Sequence, residues 1–386
     1  MHARVLTQLA LLCSALSGSV AAQDSRQVKY VVPGSTPATH LGQVALSDEL
    51  LAVGAEGARS FAGVVVLFDR VTGQPAGRFM RPGAEAFDRF GGALAADGAA
   101  LVVGAPGADL AGLVDAGHAA RYDPASGAEL VRYEASTPLA GTRFGSAVAV
   151  DGEVVAVGAP GTFPFPPDEG QVHLFDRLSG APRGRLGSPD PSGVFGPGHF
   201  FGASLAAADG LLVIGAPGTA SEGTAFVHDL TTGALLHRLE PPAAFAPVSF
   251  GTAVAVAGGR VAVGDPEADG SRGVVHVYEA GTGAYLHTVE NTGGTSGSSF
   301  GGALALDTER LVIADRHATV GPGQGRVTLH DPATGALQDV LAGFPVSVTG
   351  RFGSSLALRD GALAVGDVED SQVATYAGAA YLVTFP

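Results

Sequence analysis

The sequence predicts an all-β fold, a seven-bladed β-propeller built from four-stranded antiparallel blades. Three observations predict it. A Phe-Gly pair opens the same phrase at Phe90-Gly91, Phe144-Gly145, Phe201-Gly202, Phe250-Gly251, Phe300-Gly301 and Phe352-Gly353, with Leu41-Gly42 as a variant. The glycines of successive pairs lie 49 to 57 residues apart, and a sustained period of that length marks a repeat architecture. Each period divides into four short apolar runs separated by turn signals, with no capped helical periodicity.

The second copy shows the grammar. Phe90 to Ala96 is an apolar run rich in small residues, and Asp97-Gly98 is a tight-turn signal. Leu101-Val102-Val103 forms a second run, stopped at Gly104-Ala105-Pro106-Gly107 because proline cannot donate to a ladder. After a loop, Gly117 to Tyr122 is the third run. Asp123 to Gly127 makes the next hairpin, the carboxylate capping its own turn and glycine supplying positive φ. Ala128 to Tyr133 completes four strands, one propeller blade. The hairpin recurs at Asp69, Asp176, Asp229 and Asp331, and nearly so at Glu279.

The ends predict closure. The last copy has three strands, Phe352 to Leu358, Ala362 to Val365 and Gly378 to Phe385, and lacks a fourth. The N-terminal run Gln27 to Val32 precedes the first copy and is free to supply it. A ring closed this way has no open edge.

Residues 1–22 read as a secretory leader. Arg4 forms the basic region, Val5 to Leu16 the apolar region, and Val20-Ala21-Ala22 the cleavage site. The propeller is expected over 23–386, with copies starting near 41, 90, 144, 201, 250, 300 and 352. The protein is expected to be secreted, periplasmic or at the cell surface. Cys13, the one cysteine, lies in the leader, so the mature chain carries no disulfide or thiolate metal site. The formal net charge is −15 and Lys29 is the one lysine. No basic run exists to bind a phosphate backbone, which excludes nucleic acid as a partner class. No Lys/Arg-rich amphipathic segment or C-terminal anchor points to membrane insertion. A monomer is expected.

The phrase from Phe144 to Pro160, and again from Phe201 to Pro217, resembles the FG-GAP repeat family found in integrin α-subunit heads and bacterial exported proteins. The resemblance covers essentially all of 23–386. It implies a seven-bladed propeller that binds rather than catalyses. The family's calcium loop, Asp-x-Asp-x-Asp-Gly, is absent. The corresponding turns carry one acid at most, and calcium takes six to eight oxygens. No cofactor is therefore expected, with calcium left open.

The short, uniform turns share one face of such a ring. The long, variable connections share the other, and loops on a rigid scaffold are where function concentrates. Two features mark that face. Copies five to seven place Asp265, Asp315 and Asp367 where earlier copies have alanine, followed by Glu267, Asp269, Glu369 and Asp370. These could form a cation site, although solvated loops on an acidic protein are the plainer account. The second feature is aromatic: Phe163 and Phe165 among prolines in the third copy, and Phe195 and His199 leading into the fourth. They could anchor a partner, or the two insertions could pack on each other.

Five histidines, His118, His173, His228, His276 and His330, fall at odd distances before the turn acid, where other copies place aromatics. They are expected to pack between blades. Gly297-Ser298-Ser299-Phe300-Gly301 matches a nucleophile-elbow string, but that motif needs a following helix and a strand is expected here. The function expected is non-enzymatic binding of an extracellular protein or polysaccharide through the long-loop face, as an adhesion or interaction scaffold. The alternative is a polysaccharide hydrolase or lyase with an acidic site at the channel mouth.

Overall fold

Seven sheets of four strands each are arranged in a closed ring. The computed structural model describes residues 27–30, 41–98, 100–161, 170–189, 200–218, 223–245, 248–320, 323–342, 351–368 and 378–385. The leader expected over 1–22 lies outside them. Among the described residues no helix is long and apolar enough to cross a membrane.

Blade 2 is representative. Its strands Ala93–Asp97, Ala100–Ala105, His118–Tyr122 and Glu129–Tyr133 pair antiparallel in sequence order. The first strands of neighbouring blades converge on the axis, which is why they are built from small residues such as Ala253–Ala257. The second strands are the most buried, and Val154–Ala159 has no exposed position. The fourth strands lie outermost, and Pro182–Gly187 is exposed almost throughout.

The ring closes as the sequence predicts. Gln27–Tyr30 pairs antiparallel with Ala379–Thr384 in the register Gln27 to Val383 and Tyr30 to Ala380. It becomes the outer strand of blade 7, beside Ala362–Asp367 and Phe352–Arg359. The edge is thereby paired rather than left open.

Each of the seven buried clusters lies between two consecutive blades. Tyr133, Val102 and Ala119 of blade 2 meet Phe144, Val155, Val157 and Phe175 of blade 3. Tyr30, Leu382 and Ala364 of blade 7 meet Val53 and Phe68 of blade 1. The core is thus a ring of interfaces, and each blade is stable only against its neighbours.

The Phe-Gly pair sits at this junction. Phe144 is buried, and its N–H donates to the Ala116 carbonyl of blade 2 at 3.1 Å. A Cβ on Gly104 would run into the Gly145 carbonyl, and one on Gly117 (φ +87) into the Phe144 backbone. Backbone meets backbone at Gly104 and Gly117, and glycine leaves the room for it. Gly54, Gly158, Gly215, Gly264 and Gly366 repeat the contact of Gly104, while blade 6 has Ala314.

Among the described residues, two single turns interrupt the all-β pattern, at Ala58–Phe61 in blade 1 and Ala268–Ser271 in blade 5. Both contain consecutive left-handed residues, among them Arg59, Ser60 and Asp269. They are connections between second and third strands.

Candidate functional site

The long-loop face is knitted together across blades. The connection inside one blade and the connection into the next run side by side. Phe87 N donates to Ser60 O at 3.2 Å, Arg89 N to Phe61 O at 2.7 Å and Phe90 N to Ala62 O at 3.0 Å. One blade further on, Gly141 N donates to Val114 O at 2.8 Å and Arg143 N to Asp115 O at 3.0 Å. Asp88 stiffens the first pair. It is 1% exposed, and its carboxylate takes Arg81 Nη2 at 2.5 Å, Arg81 Nε at 3.1 Å and Glu85 N at 2.8 Å.

These fixed loops hold apolar side chains outward. Phe87 is 64% exposed, Val114 61% and Leu139 52%. The Phe87 ring stacks on Phe61 at 6.0 Å. Leu110 and Leu113, half-buried, close a two-residue turn between Phe87 and Val114 in the chain. These exposed apolar side chains, an apolar ridge in series, lie on successive connections of blades 1 to 3 that are joined pairwise by backbone hydrogen bonds. Sequence patterning did not single it out. The signal available was Phe87, an aromatic between Glu85 and Asp88 in an otherwise polar loop.

The aromatic quartet named from the sequence, Phe163, Phe165, Phe195 and His199, lies outside the described residues, as do Glu369 and Asp370. The remaining acids separate into two kinds. Asp265, Asp315 and Asp367 are 0%, 0% and 3% exposed. Each anchors the connection that leads into its own blade. Asp265 accepts from Val248 N at 3.2 Å, Ser249 N at 3.0 Å and Ser249 Oγ at 3.2 Å. Asp367 accepts from Arg351 N at 2.6 Å. Asp315 accepts from Asn291 Nδ2 at 3.0 Å and from the Arg326 guanidinium at 3.2 Å. Burial raises the pKa of Asp265 and of Asp315 above the usual carboxylate value, against the hydrogen bonds that lower it. Glu267 and Asp269 are exposed, and Asp269 pairs with Arg272 at 2.8 Å. Among the described residues, no three His, Cys, Asp or Glu groups come together as a metal set.

The five histidines are interior. His118, His173, His228, His276 and His330 are all 6% exposed or less. The rings of Phe144, Phe201 and Phe300 meet His173, His228 and His330 edge-on at 5.4 to 6.4 Å. Burial lowers the pKa of all five, to about 4 for His118, His173 and His276, so they are neutral near pH 7.

The elbow string has part of the expected geometry. Ser299 has φ +63, and its Oγ lies 3.0 Å from His317 Nδ1. Arg89, Arg143 and Phe200 precede their Phe-Gly pairs with φ between 52 and 59, so the left-handed residue belongs to the blade junction. Phe300–Leu306, which follows Ser299, is a strand, and the motif requires a helix there.

Comparison with known proteins gives three findings. A family model described as outer membrane protein assembly factor BamB matches residues 168–376, more than half of the chain. No curated protein matches. Among solved structures, BamB from Moraxella catarrhalis aligns with a TM-score of 0.49 at 15% identity, covering 89% of this chain and 85% of that chain. The family match corrects the resemblance to FG-GAP repeats and to integrin α-subunits. The reason is physical. The Phe-Gly and Gly-Ala-Pro phrases are what close backbone approach between blades requires, so they mark a propeller junction without naming a propeller family. With more than half of its length matched, the chain belongs to the family whose model is described as outer membrane protein assembly factor BamB.

Proposed function

We propose that this chain is a non-catalytic scaffold that docks a protein partner on its long-loop face, in the cell envelope outside the cytoplasm. The observation that carries the proposal is the apolar ridge of Phe87, Val114 and Leu139, exposed on hydrogen-bonded loops over blades 1 to 3. Exposed apolar side chains on pre-ordered backbone lose little conformational entropy on binding, and such anchors dominate interface energies. The family's description as an assembly factor supports a protein partner, and the leader read over 1–22 supports export.

The test is affinity capture from a native envelope fraction with the mature chain and with the triple variant Phe87→Ser, Val114→Ser, Leu139→Ser. Exposed positions leave folding intact, so the free energies of urea unfolding should agree within about 0.5 kcal/mol. The expected result is an outer-membrane protein retained by the wild type and lost by the variant. Equal capture by both would sink the ridge, and turnover of an envelope polysaccharide by the mature chain would replace the scaffold with an enzyme.

A further inference from the structure

The outer strands of the ring are guarded unevenly. An edge strand carries unpaired backbone groups, and proteins blunt such edges with proline, charge and bulges. The outer strand of blade 1 opens Pro75-Ala76-Gly77-Arg78 and that of blade 3 Pro182-Arg183-Gly184-Arg185, all exposed. At the same register positions blades 4 to 6 carry Leu235-Leu236-His237, Tyr285-Leu286-His287 and Leu337-Gln338-Asp339.

Leu235, Leu236, Tyr285, Leu286, Leu337 and Val340 are 44 to 59% exposed. Thirteen large apolar side chains are exposed among the described residues, and these six fall on the outer strands of three consecutive blades. That is clustering, where single scattered apolar residues would need no account. The three strips are joined. His237 Nε2 lies 3.0 Å from the Gly281 carbonyl in the hairpin of blade 5, and a Cβ on Gly283 would stand 2.8 Å from the His237 ring. His287 repeats the contact on Gly335 of blade 6, at 2.9 Å. Each exposed pair therefore follows directly on a hairpin that the preceding blade touches. Leu236, Leu286 and Gln338 have no partner across their ladders, a bulge in each strand. A bulge re-aims its side chain and interrupts the regular edge that an added strand would need.

The same elements are acidic. Residues 229–240, 279–290 and 331–342 carry Asp229, Glu240, Glu279, Glu290, Asp331 and Asp339, against one arginine, Arg238, which pairs with Glu240. Arg260, half-buried, lies beside His287 and Asp331 and leaves the acids in excess. The stretches of blades 4 to 6 outside the described residues contain no lysine or arginine. The sign reverses on blades 1 and 3, where 69–79 and 176–187 carry Arg70, Arg78, Arg177, Arg183 and Arg185 against Asp69 and Asp176.

We propose that the outer rim of blades 4 to 6 is a docking surface for a basic amphipathic helix of a partner protein. Such a helix offers an apolar stripe to the leucines and flanking cations to the carboxylates, and it needs no free strand edge. Charge disfavours a second copy of this chain: belt on belt sets acid against acid, and the basic rims offer proline and glycine where the belt needs large side chains. The proposal stands apart from the apolar ridge, which lies on the long loops of blades 1 to 3.

The experiment titrates the intact mature chain with a helix-forming peptide that has leucine on one face and lysine on the other, by calorimetry in about 0.15 M salt. The wild type should bind it saturably. The variant Leu236→Thr, Leu286→Thr, Leu337→Thr should bind at least about tenfold more weakly. Threonine suits a strand, and an unchanged melting temperature shows that this variant is folded. Glu290→Gln with Asp339→Asn should also weaken binding, and by less at higher salt. Val71→Thr, at a position 90% exposed in blade 1, should bind as the wild type does. The same peptide with glutamate in place of lysine should not bind. No saturable binding by the wild type, equal binding by the threonine variant, or equal binding of the glutamate peptide overturns the proposal. So does a wild-type dimer in sedimentation that the threonine variant loses, which would give the belt to a second copy.

Discussion

His276 offers a sharp test of how the blade interfaces are held. It is 0% exposed in the third strand of blade 5. Its Nδ1 shares a hydrogen bond with Thr288 Oγ1 at 2.8 Å, and its Nε2 is buried without a partner. The rings of Phe245, Phe250 and Tyr285 surround it at 5.2 to 6.4 Å. Burial takes its pKa from 6.5 to about 4. In the unfolded chain the same imidazole protonates near 6.5, so the unfolded state binds more protons between those values. Stability from keeping His276 neutral is therefore fully present above pH 6.5 and is lost as pH falls toward 4. Each pKa unit corresponds to 1.36 kcal/mol, so the loss approaches about 3 kcal/mol in total and about 2.5 kcal/mol at pH 4.5. The perturbation is His276→Phe, because blade 4 carries Phe226 at the equivalent position. Thr288 keeps Tyr285 as a partner at 2.8 Å, so no hydroxyl is orphaned. At pH 7.5 the variant should lie within about 1.5 kcal/mol of the wild type, the usual range for a shape-conserving core change. At pH 4.5 it should have gained about 2 kcal/mol relative to the wild type. Urea unfolding followed by circular dichroism at both pH values measures this. If the two proteins lose stability equally between pH 7.5 and 4.5, the buried neutral histidine is not what couples these interfaces to pH.

Two further outcomes follow from the junction geometry. Asp265→Asn keeps one acceptor for the Val248 and Ser249 donors and loses the charge. It should cost about 1 to 2 kcal/mol, reduced by the relief of burying a carboxylate, and should leave any calcium response in calorimetry unchanged. Equal stability, or loss of a calcium signal, would contradict the anchoring role. Gly104→Ala should destabilise by about 1 to 3 kcal/mol, although alanine in a strand is ordinarily favoured over glycine, because its Cβ meets the Gly145 carbonyl. A rise in melting temperature would show that the junction yields.

The sequence by itself determined the number of blades, their strand order and the closing strand. These follow from period, turn chemistry and strand parity, which are local properties of the chain. Gln27–Tyr30 could be assigned to blade 7 because the last copy lacked one strand and the N-terminus had one to spare. The inward place of the five histidines was legible for a similar reason, since other copies put aromatics at the same parity. What only the tertiary structure decided was which way a side chain faces at the ends of strands. Asp265, Asp315 and Asp367 read as loop acids because they follow an apolar run. In the ring they turn inward and accept from the connection leading into the blade, through contacts 16 to 24 residues away. Phe87 gave the opposite surprise, an aromatic held outward. This is not set by local pattern, because exposure depends on which loops two neighbouring blades bring side by side. The same physics explains the family correction. Phe-Gly and Gly-Ala-Pro record where backbones touch, a requirement of the ring, while the partner is chosen by loops whose neighbours the linear sequence does not name.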